Sequence, residues 1–319
     1  MSSLKTCFPQ KEICFDVIID VVSYTPNTLT SSLDFFKSRC EQYIFFSTAC
    51  VFGRKDNKPL IETSEKNNTK WQYAIDKQKC EELLIHQAKV YGLKYTIIRP
   101  YVTYGANRIP LGLMPKAGYH GTLIMRILND KPTFSWENGC KCTVTHLRDF
   151  AHAVCCLMGN KAAYNEDFNI VGSTVTTWHD ILLTIYNILG KQENIIQLPV
   201  NQIARSLPQF CDELLGDRCL NTVFDNYKLK RVVPSFSDTI SLEDGLKEVV
   251  DNYKKYSYYQ GIDFQWDAQV DRMLSQHDRT FFMDYLSSAQ TRDKINYYRY
   301  RYLGNLENRI IDKSIRILS

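Results

Sequence analysis

Between residues 15 and 99 the chain carries three short apolar runs, FDVIIDVV (15–22), QYIFFS (42–47) and YTIIR (95–99), separated by two helical patterns. The runs are rich in β-branched and aromatic residues and too short for buried helices, so they predict strands covered on both faces. Between them, Leu29, Leu33, Phe35 and Phe36 recur at helical spacing in 28–39. Cys80, Leu83, Leu84, Ala88 and Tyr91 do so in 71–91, where Gly92 supplies a stop. Strand, helix, strand, helix, strand is the order of a parallel α/β sheet.

Working outward, the pattern changes after Gly105 to loops punctuated by Gly and Pro (ANRIPLGLMPKAGYHG, 106–121). A strand-like TVTHL (143–147), a helix near 148–158, a strand FNIVG (168–172) and a helix over 177–190 follow. The expected domains are a parallel-sheet lobe over 1–104, a substrate-binding lobe interleaved with the sheet over 105–262, and a helical basic tail over 263–319. From 292 to 316 the tail has seven Lys/Arg against three Asp/Glu, with Tyr297, Tyr298, Tyr300 and Tyr302 interleaved. Three readings stand for it: a basic helix on an anionic membrane surface, a nucleic-acid surface, and, requiring least, an oligomerisation helix with Ile310, Ile311, Ile315 and Leu318 on its apolar face.

At 319 residues, 44% hydrophobic and 23% charged, the chain is long enough to bury a core, which excludes disorder, collagen and coiled coil as the main state. No run approaches the roughly 18 uncharged apolar residues of a membrane span, and MSSLKTCFPQKE lacks a signal peptide's apolar stretch; a cytoplasmic protein is expected. Eleven cysteines show no C-x-x-C pair, so free thiols and no metal site are expected. A net charge of +4 from 39 basic and 35 acidic residues gives no reason to expect a nucleic-acid partner.

The chemistry-bearing group is Ser47-Thr48-Ala49-Cys50-Val51-Phe52-Gly53 followed by Tyr73-Ala-Ile-Asp-Lys77. The first lies at the C-terminal end of an expected parallel strand, where open α/β sheets present ligand-contacting groups. The second sets a phenol and an ammonium at i and i+4, one above the other on a helix face. An ammonium near a phenol favours the phenolate, which suits Tyr73 to take a proton from an alcohol as its carbon loses hydride.

The strand-end S-T-x-x-V-[YF]-G, the Y-x-x-x-K after it, and Ile98-Arg99-Pro100 with Tyr104-Gly105 resemble the extended short-chain dehydrogenase/reductase superfamily, in particular its NAD-dependent epimerase/dehydratase family. VTHLRDFAHAV, FNIVG, TTWHDI, FDNYKLKRVVPSF and ISLEDGLKEVV extend the resemblance over about 15–259. It implies catalytic roles for Thr48, Tyr73 and Lys77: Tyr73 as acid/base on a substrate hydroxyl, Lys77 lowering its pKa and holding the nicotinamide ribose, Thr48 bonding the reacting oxygen. It further implies NAD or NADP as cofactor, with Ser47, Arg99 and Pro100 beside it, a sugar nucleotide as substrate, and a homo-oligomer.

Three departures from the family pattern involve four positions. Ala49 and Cys50 stand where 4,6-dehydratases carry Asp-Glu, Val102 where epimerases commonly carry Asn, and Cys142 where they carry a diphosphate-binding Arg, with Lys141 beside it as a substitute charge. Cys50, Val102, Lys141 and His146 are therefore the candidate substrate contacts, His146 also suiting a core histidine and Asp149 a helix cap. A larger departure is the absence of G-x-x-G-x-x-G, since the first glycine is Gly53. If 15–22 is the fourth Rossmann strand, a first mononucleotide half of roughly 60 residues is missing. The expectation is a truncated Rossmann-like sheet with 15–22 as an open edge and an incomplete cofactor site. Epimerisation or reduction of an activated sugar is the leading function, and a non-catalytic binding or partner subunit the alternative, with RNA binding behind it.

Overall fold

The computed structural model describes residues 13–54, 58–256, 261–275 and 289–318, without the side chains of 305, 306 and 315–318. Two of the tail's expected apolar residues, Ile315 and Leu318, thus lie outside the described side chains. The chain divides into two compact units, Met1–Tyr104, Lys141–Thr176 and Leu215–Leu242 in the first, and Gly105–Cys140, Thr177–Leu214 and Glu243–Ser319 in the second.

The first unit is built on β1 (Phe15–Asp20), α1 (Pro26–Phe36), β2 (Cys40–Phe46), α2 (Gln72–Tyr91), β3 (Lys94–Pro100), β4 (Val102–Tyr104), β5 (Lys141–His146), α3 (Leu147–Leu157), β6 (Glu166–Ile170) and α4 (Tyr227–Val232). Four strands form one parallel sheet in the order β1-β2-β3-β6, with Val17 beside Gln42, Ile44 beside Thr96 and Ile98 beside Phe168. Strand periodicity sorts the core: Tyr43, Phe45 and Ile97 pack with Leu29, Leu33 and Leu84 on one face, while Ile44 and Ile98 pack with Phe150, Val154, Leu157 and Leu229 on the other. Each such side chain, once enclosed, contributes about 1.5–3 kcal/mol. Among the described residues β1 has one neighbour, and Ile19, Val21 and Val22 are exposed at 38%, 49% and 72%.

Local chemistry sets the ends of the elements. Thr25 and Thr28 exchange hydrogen bonds in a capping box at the start of α1, with Pro26 at its first position. Gly92, at φ +67, closes α2 in the left-handed conformation that its lack of Cβ permits. β1 stops two residues short of the apolar run because the Asp20 carboxylate accepts the main-chain N–H groups of Val22 and Ser23 at 3.0 and 2.9 Å. The cap of α3 is His146, whose Nδ1 accepts the Arg148 N–H, and not Asp149, which is bonded instead to Thr239.

In the second unit, strands Thr133–Trp136 and Ile195–Leu198 pair in parallel, and helix Trp178–Leu189 runs from its Thr177 cap to Gly190 at φ +64. Helices Phe264–Leu274 and Thr291–Tyr302 are joined to this unit by a buried ionic cluster. Arg126 and Lys131 face Asp267 and Asp271 across 2.5–2.7 Å, and the Tyr297 hydroxyl donates to Asp271 at 2.5 Å. No helix among the described residues is long and apolar enough to cross a membrane.

Candidate active site

The end of β2 and the first turns of α2 bring the expected triad into one region of the first unit. After Phe46 the strand gives way to a single 3-10 turn, Ala49–Val51, capped by Thr48, whose hydroxyl accepts the Cys50 N–H at 3.2 Å. Thr48 is 4% exposed. The Lys77 side chain runs back to this strand end: its Nζ donates to the Phe46 carbonyl at 2.6 Å and to the Ser23 carbonyl at 2.8 Å. The Tyr24 and Phe45 rings each lie 4.8 Å from Nζ. Burial lowers the Lys77 pKa to about 8, with Cys80, Asp20 and Glu81 opposing the fall. Tyr73, one turn before Lys77, is half-buried between the Trp71 ring at 5.2 Å and the Tyr24 ring at 6.4 Å.

Behind these rings is a polar group that sequence reasoning missed. A turn of π-helix over Leu214–Arg218 places Asp217 in the interior, where it accepts from the Tyr101 hydroxyl at 2.8 Å, Arg54 at 2.7 Å and Arg218 at 2.9 Å. The Arg218 guanidinium lies 5.7 Å from the Trp71 ring. Asn68 ties the same turn to the strand end, donating to the carbonyls of Cys50 and Gly216, both at 2.9 Å. No spacing rule links residues 54, 101 and 217, so only the chain's folding brings them together. Asp20 was legible in principle, as the second of two carboxylates in the apolar run 15–22.

The other expected contacts fall into different places. Arg99, expected beside a cofactor, is fully buried and bound to Glu81 through Nε and Nη2 at 2.7 and 2.9 Å and to Asp167 at 2.6 Å; it ties α2 to β6. Pro100 continues β3 opposite Ile170, and Ser47 is buried with its N–H on the Ile98 carbonyl. Cys50 is buried, and burial pushes its thiol up to about 12, which makes it packing rather than a nucleophile. Val102 is a core residue of β4, opposite Val144. His146 is 3% exposed with its ring edge-on to Tyr104 at 5.2 Å, the position of a core histidine. Lys141 is exposed at the start of β5. Among the described residues no group of three side chains suits a metal ion.

Residues 20–171 match the model of the NAD dependent epimerase/dehydratase family. The chloroplast stem-loop binding protein of 41 kDa b from Arabidopsis thaliana is 28% identical over 170 residues, 51% of this chain and 40% of that protein, so the chain spans less than half the length of this curated relative. Two solved structures share the fold. UDP-glucuronic acid 4-epimerase from Bacillus cereus, in complex with NAD, has a TM-score of 0.58 at 20% identity over 76% of each chain. dTDP-glucose 4,6-dehydratase from Bacillus anthracis, also with NAD, has a TM-score of 0.63 at 18% identity over 81% of this chain and 78% of that one. The matched stretch, residues 20–171, carries Thr48, Tyr73 and Lys77 at the end of a Rossmann-like parallel sheet.

Proposed function

We propose that this protein epimerises, or oxidises and reduces, a carbon of a nucleotide sugar by hydride transfer with NAD or NADP. The observation that carries the reading is the reach of Lys77 from the Tyr73 helix to the Phe46 carbonyl, two residues before Thr48. It gathers a phenol, an ammonium and a hydroxyl-bearing strand end at the C-terminal edge of a parallel sheet. Tyr73 takes the proton of a sugar hydroxyl and returns it, the neighbouring ammonium favours its phenolate, and Thr48 steadies the oxygen that changes charge. Arg54 and Arg218 share the Asp217 carboxylate, so the three groups carry one positive charge in excess, with Arg218 beside the Trp71 and Tyr101 rings, which suits an anionic substrate group.

The described residues fit a nicotinamide dinucleotide at its reacting end. Tyr73 and Lys77 would hold the ribose, and the bound group would supply the hydride acceptor and donor. The phosphate end has no counterpart in the β1-to-α1 connection, Val21–Thr25, which contains no glycine and is shaped around Asp20. The nucleotide sugar and a homo-oligomer through the tail belong to the same proposal, the oligomer being read by light scattering.

The test is turnover of UDP-glucose and UDP-glucuronic acid by the full chain with added NAD, followed by proton NMR. The expected result is a new epimer whose rate of formation falls about 10²–10⁴-fold in Tyr73→Phe. Absence of turnover of both, or a Tyr73→Phe rate equal to wild type, overturns the reading. A second reading, RNA binding, draws on the stem-loop binding named in the Arabidopsis relative and on the stacked Tyr298 and Tyr302 rings, 6.2 Å apart on an exposed helix face. It requires an RNA affinity that falls steeply with salt.

A further inference from the structure

Four hydrogen bonds converge on one carboxylate beside Lys77. Asp20 is 4% exposed at the end of β1. Its Oδ1 accepts the N–H groups of Val22 and Ser23, and its Oδ2 accepts the Ser23 hydroxyl at 2.7 Å and the Tyr43 hydroxyl at 2.5 Å. Tyr43 is held in turn by Ser32 at 2.7 Å. Burial alone would raise the Asp20 pKa, but the donors, Tyr43 first and then Ser23 and Val22, bring it below the ordinary carboxylate value, so the group is ionised at neutral pH.

These bonds fold residues 20–24 into a turn around the carboxylate, with two consequences for the site. The Ser23 carbonyl meets Lys77 Nζ at 2.8 Å, and the Tyr24 ring stands 4.8 Å from the same nitrogen and 6.4 Å from the Tyr73 ring. Without the carboxylate, four donors lose their acceptor and nothing else among these bonds fixes where the carbonyl points. Resting on the functional reading above, we propose that Asp20 is a positioning residue: through the Ser23 carbonyl and the Tyr24 ring it sets the place of the Lys77 ammonium beside Tyr73. It touches neither reacting group itself. A plain strand-stop role would change Lys77 only through the lost charge of Asp20 and would leave kcat unchanged, and that difference is measurable.

The charged and titratable groups facing Lys77 are Asp20 at the end of β1, Cys80 and Glu81 on its own helix, Tyr24 in the turn, and Tyr73 one turn before it. The experiment is a pH titration of the Lys77 side chain in full-length protein carrying ¹³C at the lysine Cε, with Lys77→Met assigning the resonance. Asp20→Ala is expected to lower the Lys77 midpoint by about half a pH unit or more, because both the negative charge and the aimed carbonyl are lost. In the turnover assay, Asp20→Ala is expected to lower kcat by about tenfold with KM within a factor of about two, since the proton-handling group and not substrate binding is disturbed. A folded Asp20→Ala protein whose Lys77 midpoint equals that of wild type overturns the proposal. Where Asp20→Ala does not fold, Asp20→Asn decides: its NH2 cannot accept the Ser23 and Tyr43 hydroxyls, so a midpoint lowered together with kcat supports the proposal, and an unchanged midpoint or an unchanged kcat overturns it. If wild type turns over neither nucleotide sugar, the functional reading fails on that assay alone, while the titration still decides the place of Asp20.

Discussion

Lys77 in the first unit and Lys131 in the second are both 2% exposed, yet they are held by different kinds of partner. Lys77 Nζ bonds two neutral carbonyls, those of Ser23 and Phe46. Lys131 Nζ bonds two carboxylates, Asp267 at 2.7 Å and Asp271 at 2.6 Å, which also hold Arg126. Carbonyl dipoles fix an ammonium's position without cancelling its charge, so burial brings the Lys77 pKa to about 8. For Lys131, burial and Arg126 also lower the pKa, but the carboxylates oppose them and the cluster closes at two charges against two. A buried cation left on dipoles can change its charge near neutrality, which is what proton-transfer chemistry needs. One closed on carboxylates fixes how helices pack.

The largest test of this contrast is to open the closed cluster. Asp267→Ala leaves Arg126 and Lys131 sharing one carboxylate in a dry interior, and the expected loss is about 3–5 kcal/mol by urea unfolding. Replacing all four ionic side chains by Met and Leu together is expected to be nearly neutral, because no uncompensated charge remains. A small effect of the single substitution would mean that water reaches the cluster.

Next in size is the pH dependence that Lys77 imposes. Its folded pKa, about 8, lies below the ordinary value of 10.5, so between those values the unfolded chain binds the proton that the folded chain has released. Stability due to this group therefore rises with pH from about 8 to 10.5, by up to about 3 kcal/mol, and is flat below pH 7. Other groups titrate there too, so the quantity to measure is the unfolding free energy of wild type minus that of Lys77→Met, at pH 7 and pH 10.5. An equal difference at the two pH values would show that the ammonium is solvated.

Much of this contrast could not have been read from the chain. The strands at 15–20, 40–46 and 94–100 and the helix ending at Gly92 were legible because apolar period and glycine chemistry act locally. So was the placing of Tyr73 above Lys77, a property of helix geometry. The partners of Lys77 were not: Ser23 lies 54 residues away and Phe46 31, and a main-chain carbonyl has no sequence signature. Arg99 shows the same limit from the other side. Its place in a motif suggested a ligand, but a strand-borne guanidinium facing Glu81 on the covering helix has its Nε and Nη2 taken before any ligand arrives. The Arg126–Lys131 cluster closes with residues 136–145 positions away in sequence, beyond the reach of any periodicity.

A third lysine sets the small end of the scale. Lys191 meets Asp130 at 2.8 Å, nearly the distance of Lys131 from its carboxylates, but the side chains are 28% and 78% exposed. Bond length is therefore held almost constant while water is changed. In high dielectric the Coulomb attraction shrinks, and ordering two long side chains offsets most of it. Lys191→Ala is expected to change unfolding free energy by no more than about 0.5 kcal/mol, and that remnant should vanish in 1 M salt, where screening acts within about 3 Å. A loss approaching that of Asp267→Ala would mean that solvent is not what separates these lysines. The low Lys77 pKa could then no longer be assigned to burial on dipoles, and a neighbouring charge would have to be found for it.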